Sequence, residues 1–184
     1  MNKFQYSSFV LALIVIDQIS KWYVFEGVLR VRGGAKNFLD WLTSGQSIED
    51  TIASLQQFQV IEVTSFFNLV AVWNTGVSFG LLQDAPDFMP TALTSFAVIV
   101  SIVIFVWGMR ARYALERYAA LLISAGALGN ALDRFRFKAV ADFIDIHAFG
   151  YHWPAFNVAD ASIVLGAALL IVYIISVPSE GAKE

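Results

Sequence analysis

The sequence predicts an α-helical membrane protein with four transmembrane helices, a small extracytoplasmic β-sheet and a short amphipathic outer helix. Two observations favour this fold class. First, 58% of the 184 residues are hydrophobic and only 15% are charged, and the mean hydropathy is +0.64, which is far more apolar than an ordinary soluble domain. Second, the apolar residues are gathered into long runs separated by polar segments. Such runs fit the hydrocarbon layer of a bilayer.

Four runs are long enough to cross a bilayer, which requires about 20 predominantly apolar residues. Their approximate bounds are 6–25, 91–109, 113–132 and 159–177. The first run begins as a secretory signal would, but Asp17 and Lys21 interrupt it and no cleavage site follows, so we expect a retained helix. The prediction is one membrane-embedded domain over residues 1–184, with extracytoplasmic segments 26–90 and 133–158.

The charges predict how the chain lies across the membrane. Three arginines flank the short turn between the second and third crossings: Arg110, Arg112 and Arg117. By the positive-inside rule this turn and both termini face the cytoplasm, and the acidic segment 26–90 lies on the outer side. Segment 133–158 shares the outer side although Arg134, Arg136 and Lys138 oppose the rule, which indicates that these cations are kept for another purpose.

The first outer segment contains a predicted helix and a predicted sheet. Ser47 is a typical helix N-cap followed by two acidic residues. Apolar residues then recur near helical spacing at Ile48, Ile52, Leu55 and Phe58. This amphipathic helix either lies on the membrane surface or packs on the rest of the outer region. From Val60 to Leu82, β-branched and aromatic residues with a turn signal at Asn74-Thr75-Gly76 predict a small sheet.

The composition also excludes several classes of function. The chain has no cysteine, so it has no disulfide framework, thiolate nucleophile or cysteine-based metal site. A net charge of −3 without a basic stripe argues against a nucleic-acid partner. His147 and His152 are five residues apart in a predicted loop, a spacing that fits no familiar metal motif. We therefore expect no metal site.

Two aspartates near the ends of apolar runs, Asp142 and Asp160, carry the predicted chemistry. Ionisable groups at such positions are costly and often functional. Taken singly, each has a structural alternative, because Asp160 opens the fourth crossing and could cap that helix. Taken together they are more informative, since the intervening connection easily returns the chain to a neighbouring helix. Two adjacent carboxylates share one proton, so one can activate a water while the other protonates a leaving amine.

Other polar residues of the crossings are candidates for supporting roles. Asn130, Asp133 and Arg134 share one helical face by their spacing, and Gly126 and Gly129 just before them allow close helix contact. An ion pair at the helix end is the alternative role for Asp133. In the first crossing, Asp17 and Lys21 have the spacing of a helical ion pair. Contact with substrate or a lipid headgroup is the alternative for that pair.

These motifs resemble those of lipoprotein signal peptidase, the type II signal peptidase of bacteria. Four blocks carry the resemblance in order along nearly the whole chain: DQISKWY, NTGVSFGLL, GNALDRFRFKAVADFIDI and FNVADASIVLG. The resemblance implies an aspartic intramembrane protease of the bacterial inner membrane with Asp142 and Asp160 as its catalytic residues. It implies supporting or substrate-contacting roles for four residues: Asn74, Asn130, Arg134 and Asn157. Asp17, Lys21, Gly76 and Asp133 are further motif positions.

The resemblance also implies the reaction and the partners. The family removes the signal peptide of a prolipoprotein by cleaving before a diacylglyceryl-modified cysteine, in contact with membrane lipid and without a cofactor, and globomycin inhibits it. Three positions depart from the family pattern: Lys138 stands where glycine is common, Ser78 replaces a frequent alanine and Ala161 follows Asp160 where serine is usual. The outer connection between Glu26 and Phe66 is longer than usual.

Two other functions would fit part of the pattern. A small proton-coupled transporter would use its acidic residues as a relay, but it would place them at mid-membrane on broken or repeated helices, and no repeat is visible. A non-catalytic membrane scaffold would present the outer sheet to partners and would leave Asp142 and Asp160 apart and separately paired.

Overall fold

A computed structural model of the chain describes residues 1–75 and 89–176, which form six α-helices and a four-stranded sheet. The helices are α1 (Lys3–Trp22), α2 (Phe38–Thr43), α3 (Ile48–Ala53), α4 (Met89–Arg110), α5 (Ala114–Phe137) and α6 (Val158–Ser176). A π-helical stretch, Tyr23–Leu29, continues α1. Each of the four long helices overlaps one of the four predicted crossings, and α5 runs five residues further than predicted, to Phe137. Asp133 and Arg134 therefore lie within a helix.

The apolar character of the long helices differs from one to the next. Two of the described stretches are long and apolar enough to cross a membrane, Lys3–Leu29 and Val158–Ser176. The apolar part of α4, Thr94–Arg110, is shorter, and α5 carries an acidic residue in its first turn and two arginines in its last. The fold is thus helical with a small antiparallel sheet, and the number of crossings stays a prediction.

Glycines in α5 bring the helices close together. A Cβ on Gly126 would overlap the carbonyl oxygen of Ala159 in α6, and one on Gly129 would lie 2.8 Å from Asp17 Oδ2 in α1. Both contacts require the absence of a side chain, as small residues generally do at helix interfaces in membranes. The prediction that these two glycines allow close helix contact is confirmed.

The sheet differs from the prediction in its strands. It is antiparallel, in the order β1 (Ile61–Thr64), β2 (Phe67–Asn74), β3 (Val140–Ala148) and β4 (Tyr151–His152). The first two strands fall in the predicted region and are joined by a turn after Thr64. Asn74 is paired with Val140 at the end of β2, and the predicted turn that starts there continues into Gly76, outside the described residues. The expectation that His147 and His152 lie in a loop was wrong, since they pair across β3 and β4. Long-range pairing with β2 makes this segment a strand.

The outer connection contains two short helices instead of one. Ser47 is the N-cap of α3, as predicted, and its Oγ accepts a hydrogen bond of 3.2 Å from the Asp50 amide. The predicted helix nevertheless ends at Ala53, where a 3₁₀ turn, Ser54–Gln57, replaces it. Of the two arrangements left open by the sequence, α3 adopts the packed one, because Thr51 is fully buried and its Oγ1 donates to the Phe137 carbonyl oxygen at 3.0 Å.

An aromatic cluster joins this outer region to the helix ends and the sheet. Phe25, Trp41, Trp73 and Phe137 are all buried, with ring centroids between 4.9 and 6.3 Å apart. They come from the π-helical stretch after α1, from α2, from β2 and from the end of α5 respectively. Burial of four large rings is strongly stabilising, so the sheet and α2 are fixed relative to the helix ends at which the candidate site lies.

Candidate functional site

Asp142 lies in β3 with its carboxylate buried inside the protein. It is 1% exposed. Its Oδ1 accepts a hydrogen bond of 2.6 Å from Asn157 Nδ2, and its Oδ2 accepts one of 3.1 Å from Asn74 Nδ2. Burial, and then the charge of Asp160, raise the pKa of Asp142 to about 7, while the two asparagine amides oppose the rise. This carboxyl group can therefore hold a proton near neutral pH.

Asp160 lies in the first turn of α6, where Asn157 is the residue that precedes the helix. The Asn157 Oδ1 accepts from the Asp160 amide at 3.0 Å, and Asp160 Oδ2 accepts from the Asn157 amide at 3.2 Å. This reciprocal pair is a capping box, so the capping role considered for Asp160 is real. Its other oxygen, Oδ1, accepts a hydrogen bond of 2.7 Å from Asn130 Nδ2.

Asn157 joins the two carboxylates. Its side chain donates to Asp142 and accepts from the Asp160 amide, and Nδ2 also lies 3.2 Å from Asn130 Oδ1, which brings in the residue that donates to Asp160. Asn157 is fully buried. The separate pairing expected of a scaffold is therefore not what the described residues form. The structure brings Asp142, Asp160, Asn74, Asn130 and Asn157 into one hydrogen-bonded group.

A buried ionic network lies beneath this group. Lys21 Nζ is 2.8 Å from Asp17 Oδ2 and 2.7 Å from Asp133 Oδ2, which confirms the predicted ion pair in α1 and adds a second carboxylate to it. Asp17 Oδ1 accepts from the Ala159 amide at 3.0 Å, and Asp133 Oδ2 accepts from the Ala141 amide at 3.3 Å. Each of these aspartates thus holds the backbone just before one member of the candidate pair.

Gln18 and Arg136 belong to this network, although neither was among the predicted site residues. Gln18 Nε2 donates to Asp133 Oδ1 at 2.9 Å, and its Oε1 accepts from Arg136 Nη2. Arg136 also pairs with Asp133 at 3.1 Å and donates through Nη1 to the carbonyl oxygens of Trp41 and Leu42. These contacts give this buried arginine a structural role. The one available signal was an arginine three residues after Asp133, the spacing of a helical ion pair.

Arg134 has a different environment from Arg136. Its charge acts on Asp160, Asp142 and Asp133. Its Nε is buried without a hydrogen-bond partner among the residues that the structure describes. A buried donor without a partner is costly. The guanidinium is therefore available to an acceptor that enters the site.

An apolar groove of about 640 Å³ opens beside Asp160. Its walls are formed by the segment after β4 and by one face of α6, including Trp153, Phe156, Val164 and Leu165. Asn74 also lines the groove. A largely apolar cavity with a few convergent polar groups is the usual form of a ligand site.

Three other predictions have distinct outcomes. Gly76 lies outside the described residues, as does Ser78. Lys138 follows α5 as its C-cap with φ of +59°, the left-handed conformation that favours glycine. Within the described parts of the chain, no group of three or more His, Asp or Glu residues could hold a metal ion.

Solved structures share this fold. One, described as a bacterial membrane enzyme, matches with a TM-score of 0.67 over 98% of this chain and 93% of its own, at 24% sequence identity. A second with the same description gives a TM-score of 0.66, covering 95% of this chain and 94% of its own. The fold is therefore that of a bacterial membrane enzyme.

Sequence comparison identifies the family. The model of the family described as signal peptidase (SPase) II matches residues 9–176. The lipoprotein signal peptidase of Alteromonas mediterranea is 41% identical over 123 residues, 66% of this chain and 68% of that protein. That of Cupriavidus necator is 45% identical over 113 residues, 60% and 63% of the two chains. The chain belongs to the signal peptidase II family, a family of membrane proteases, and the predicted resemblance is confirmed. Prolipoprotein signal peptide processing is the known role of these relatives.

Proposed function

We propose that this protein is an aspartic endopeptidase that removes the signal peptide from bacterial prolipoproteins, cleaving before the diacylglyceryl-modified cysteine. The observation that carries the proposal is that buried Asn157 bonds to both carboxylates: its Nδ2 donates to Asp142 Oδ1, and its backbone N–H donates to Asp160 Oδ2. Carboxylates that share one proton supply an acid and a base at the same pH. Peptide hydrolysis without a covalent intermediate requires both.

In the proposed reaction, Asp142 holds the shared proton and Asp160 is ionised. Asp160 takes a proton from a water as the water oxygen bonds to the scissile carbonyl carbon. The bond from that carbon to the cysteine nitrogen breaks, and the proton of Asp142 passes to the leaving amine. The pair again holds one proton, now on Asp160, and the proton returns to Asp142 before the next turnover. The elevated pKa of Asp142, about 7, supports its role as the acid.

The neighbouring residues have supporting roles in this proposal. Asn130 and Asn74 orient one carboxylate each. Arg134 supplies its unpartnered Nε to a backbone carbonyl oxygen of the substrate. Asp17 and Asp133, paired through Lys21, hold the backbone next to the catalytic residues. Gly76 belongs to the same motif as Asn74, and its role rests on the resemblance alone.

The groove beside Asp160 is the proposed entry for a lipid-modified substrate. Its apolar wall on α6 includes Val164 and Leu165, which are 69% and 54% exposed. A substrate held in the bilayer by its own acyl chains must approach from the side, and an apolar groove open along a membrane helix permits that approach. Membrane lipid and diacylglyceryl-modified precursors are the expected partners, and globomycin is the expected inhibitor.

The same proposal includes the placement of the chain. Residues 1–184 form a single peptidase domain with four crossings in the bacterial inner membrane. Both termini face the cytoplasm, and the catalytic pair lies near the outer face. The arginines of the turn between α4 and α5 support this orientation. Cysteine labelling from the two sides of sealed vesicles would test it, because the natural chain has no cysteine.

The decisive experiment is cleavage of one precursor, with and without its diacylglyceryl group, by the purified protein. We expect cleavage of the lipidated form, and a loss of about 10²–10⁴-fold or more in kcat for Asp142→Asn and Asp160→Asn. Asp145→Asn is the matched control, because Asp145 lies in the same strand but pairs with Asn68 and His152. Normal turnover by either catalytic variant would overturn the proposal, and equal cleavage of both precursors would overturn the substrate class.

A further inference from the structure

The hairpin formed by β3 and β4 has one apolar and one polar face. Successive side chains of a strand point to opposite faces. Ile146 lies on one face opposite Trp153, whose amide donates to the Ile146 carbonyl oxygen at 2.8 Å, and Tyr151 lies on the same face opposite Ala148. Ile146, Tyr151 and Trp153 are 45%, 67% and 61% exposed. This face is aromatic and has little cover from the rest of the protein.

The opposite face of the hairpin is polar, and its side chains contact other residues of the sheet. His147 pairs with His152, and their rings stack with centroids 4.6 Å apart. His152 Nδ1 lies 2.9 Å from the carboxylate of Asp145, which also accepts a hydrogen bond of 2.9 Å from Asn68 Nδ2. The hairpin is therefore amphipathic: its apolar side chains lie on the face opposite to the one that contacts Asp145 and Asn68.

The turn of the hairpin holds a phenylalanine in an unfavourable conformation. The two central residues, Phe149 and Gly150, have φ of +52° and +78°. Two-residue turns of this kind favour Asn, Asp or Gly at the first position, because a left-handed conformation is unfavourable for a residue with a Cβ. The ring of Phe149 is fully exposed, so no contact of this ring with the described residues offsets the unfavourable conformation. An interaction of the ring with its surroundings would account for a phenylalanine at this position.

We propose that this hairpin, Ile146 to Trp153, inserts its aromatic face and tip into the interfacial layer of the bilayer. Aromatic side chains with polar neighbours favour the level of the lipid headgroups. The surface is also continuous with the apolar face of α6, because α6 begins at Val158 and Trp153 lines the groove together with Val164 and Leu165 of that helix. The hairpin thus extends the membrane-facing surface past the end of the helix and alongside Asp160.

Single-cysteine spin labelling tests the proposal, because every introduced cysteine is unique in this chain. The full-length protein is reconstituted in vesicles of phosphatidylethanolamine and phosphatidylglycerol, with a nitroxide at Phe149→Cys or Tyr151→Cys. The matched control is Glu49→Cys, an exposed position in α3. The measured quantity is the accessibility of the nitroxide to oxygen divided by its accessibility to a water-soluble nickel complex. We expect this ratio to be several-fold higher at both hairpin sites than at the control site.

A second variant separates membrane contact from folding. Phe149→Asn places a residue suited to the turn, so it keeps or improves the stability of the hairpin. In that background, the label at Tyr151→Cys should move toward the aqueous phase. Hairpin labels that are as accessible to the nickel complex as the control would overturn the proposal. Spin–spin broadening at Phe149→Cys that disappears on dilution with unlabelled protein would also overturn it, since a second copy would then cover this surface. The outcome does not depend on the catalytic roles of Asp142 and Asp160.

Discussion

Removal of the Asn74 side chain tests how the catalytic pair is tuned. Asn74 Nδ2 donates to Asp142 Oδ2 at 3.1 Å. Burial and the charge of Asp160 raise the pKa of Asp142 to about 7, and the hydrogen bond from Asn74 limits that rise because it favours the ionised carboxylate. The substitution Asn74→Ala should therefore raise the pKa further.

The size of the shift follows from the strength of that hydrogen bond. A hydrogen bond to a charged group contributes about 1.5–3 kcal/mol, and one pKa unit corresponds to about 1.4 kcal/mol. Asn74→Ala should thus move the pKa of Asp142 up by about one to two units from its value of about 7. Activity requires the proton on Asp142 and is lost as pH rises through this pKa. The alkaline limb of the pH profile should move upward by the same amount.

The assay is kcat/KM for a lipidated precursor as a function of pH, for the wild type, Asn74→Ala and Asn68→Ala. Asn68 is the matched control, because it lies in the same strand and donates at 2.9 Å to a different carboxylate, that of Asp145. A lower rate alone would not decide the matter, since Asn74 also lines the substrate groove. An unmoved alkaline limb in an active Asn74→Ala enzyme, or an equal shift in Asn68→Ala, would refute the reasoning.

Three further predictions concern the scaffold around the site. Lys138→Gly should raise the free energy of unfolding by about 1 kcal/mol, because glycine adopts the left-handed conformation without a Cβ penalty. Thermal unfolding in detergent measures this change, and a lower unfolding temperature for the variant would contradict the prediction. Gly126→Ala should lower the free energy of unfolding by about 1–3 kcal/mol and should also reduce the rate of cleavage. The added methyl group would push Ala159, the residue before Asp160, away from α5. Thermal unfolding in detergent and kcat for a lipidated precursor measure the two effects. Arg136→Met should remove one of the two cations paired with the Asp133 carboxylate, which keeps Lys21, and a donor to the carbonyl oxygens of Trp41 and Leu42. The lost hydrogen bonds should lower the free energy of unfolding by about 1–3 kcal/mol, and limited proteolysis should then cut α2 faster than in the wild type.

The sequence predicted the helices and the carboxylate pair because both depend on local patterns. Long apolar runs define the helices, and Asp142 and Asp160 each interrupt or border such a run. Their proximity followed from the short connection between them. The N-cap at Ser47 and the ion pair of Asp17 with Lys21 were likewise local, and the structure has both.

The missed features depend on residues far apart in the chain. β3 reads as an apolar stretch after a helix, and it becomes a strand because β2, about seventy residues earlier, supplies its hydrogen-bond partners. Arg136 binds carbonyl oxygens of α2 that are separated from it by more than ninety residues. The spacing of Asn157 along the chain did not predict that it would join Asp142 to Asp160. It was a candidate only because it belongs to the FNVADASIVLG block of the family resemblance. No local pattern encodes such contacts.

Infrared titration of the carboxyl groups tests the central claim most directly, because the proposed chemistry requires that Asp142 and Asp160 hold one proton between them at neutral pH. We predict that the wild type has a protonated-carboxyl band that persists up to about pH 7, in keeping with the pKa of Asp142. This band should be lost in Asp142→Asn and unchanged in Asp145→Asn. A wild-type protein without this band below pH 7, or an Asp142→Asn variant that retains it unchanged, would contradict the account.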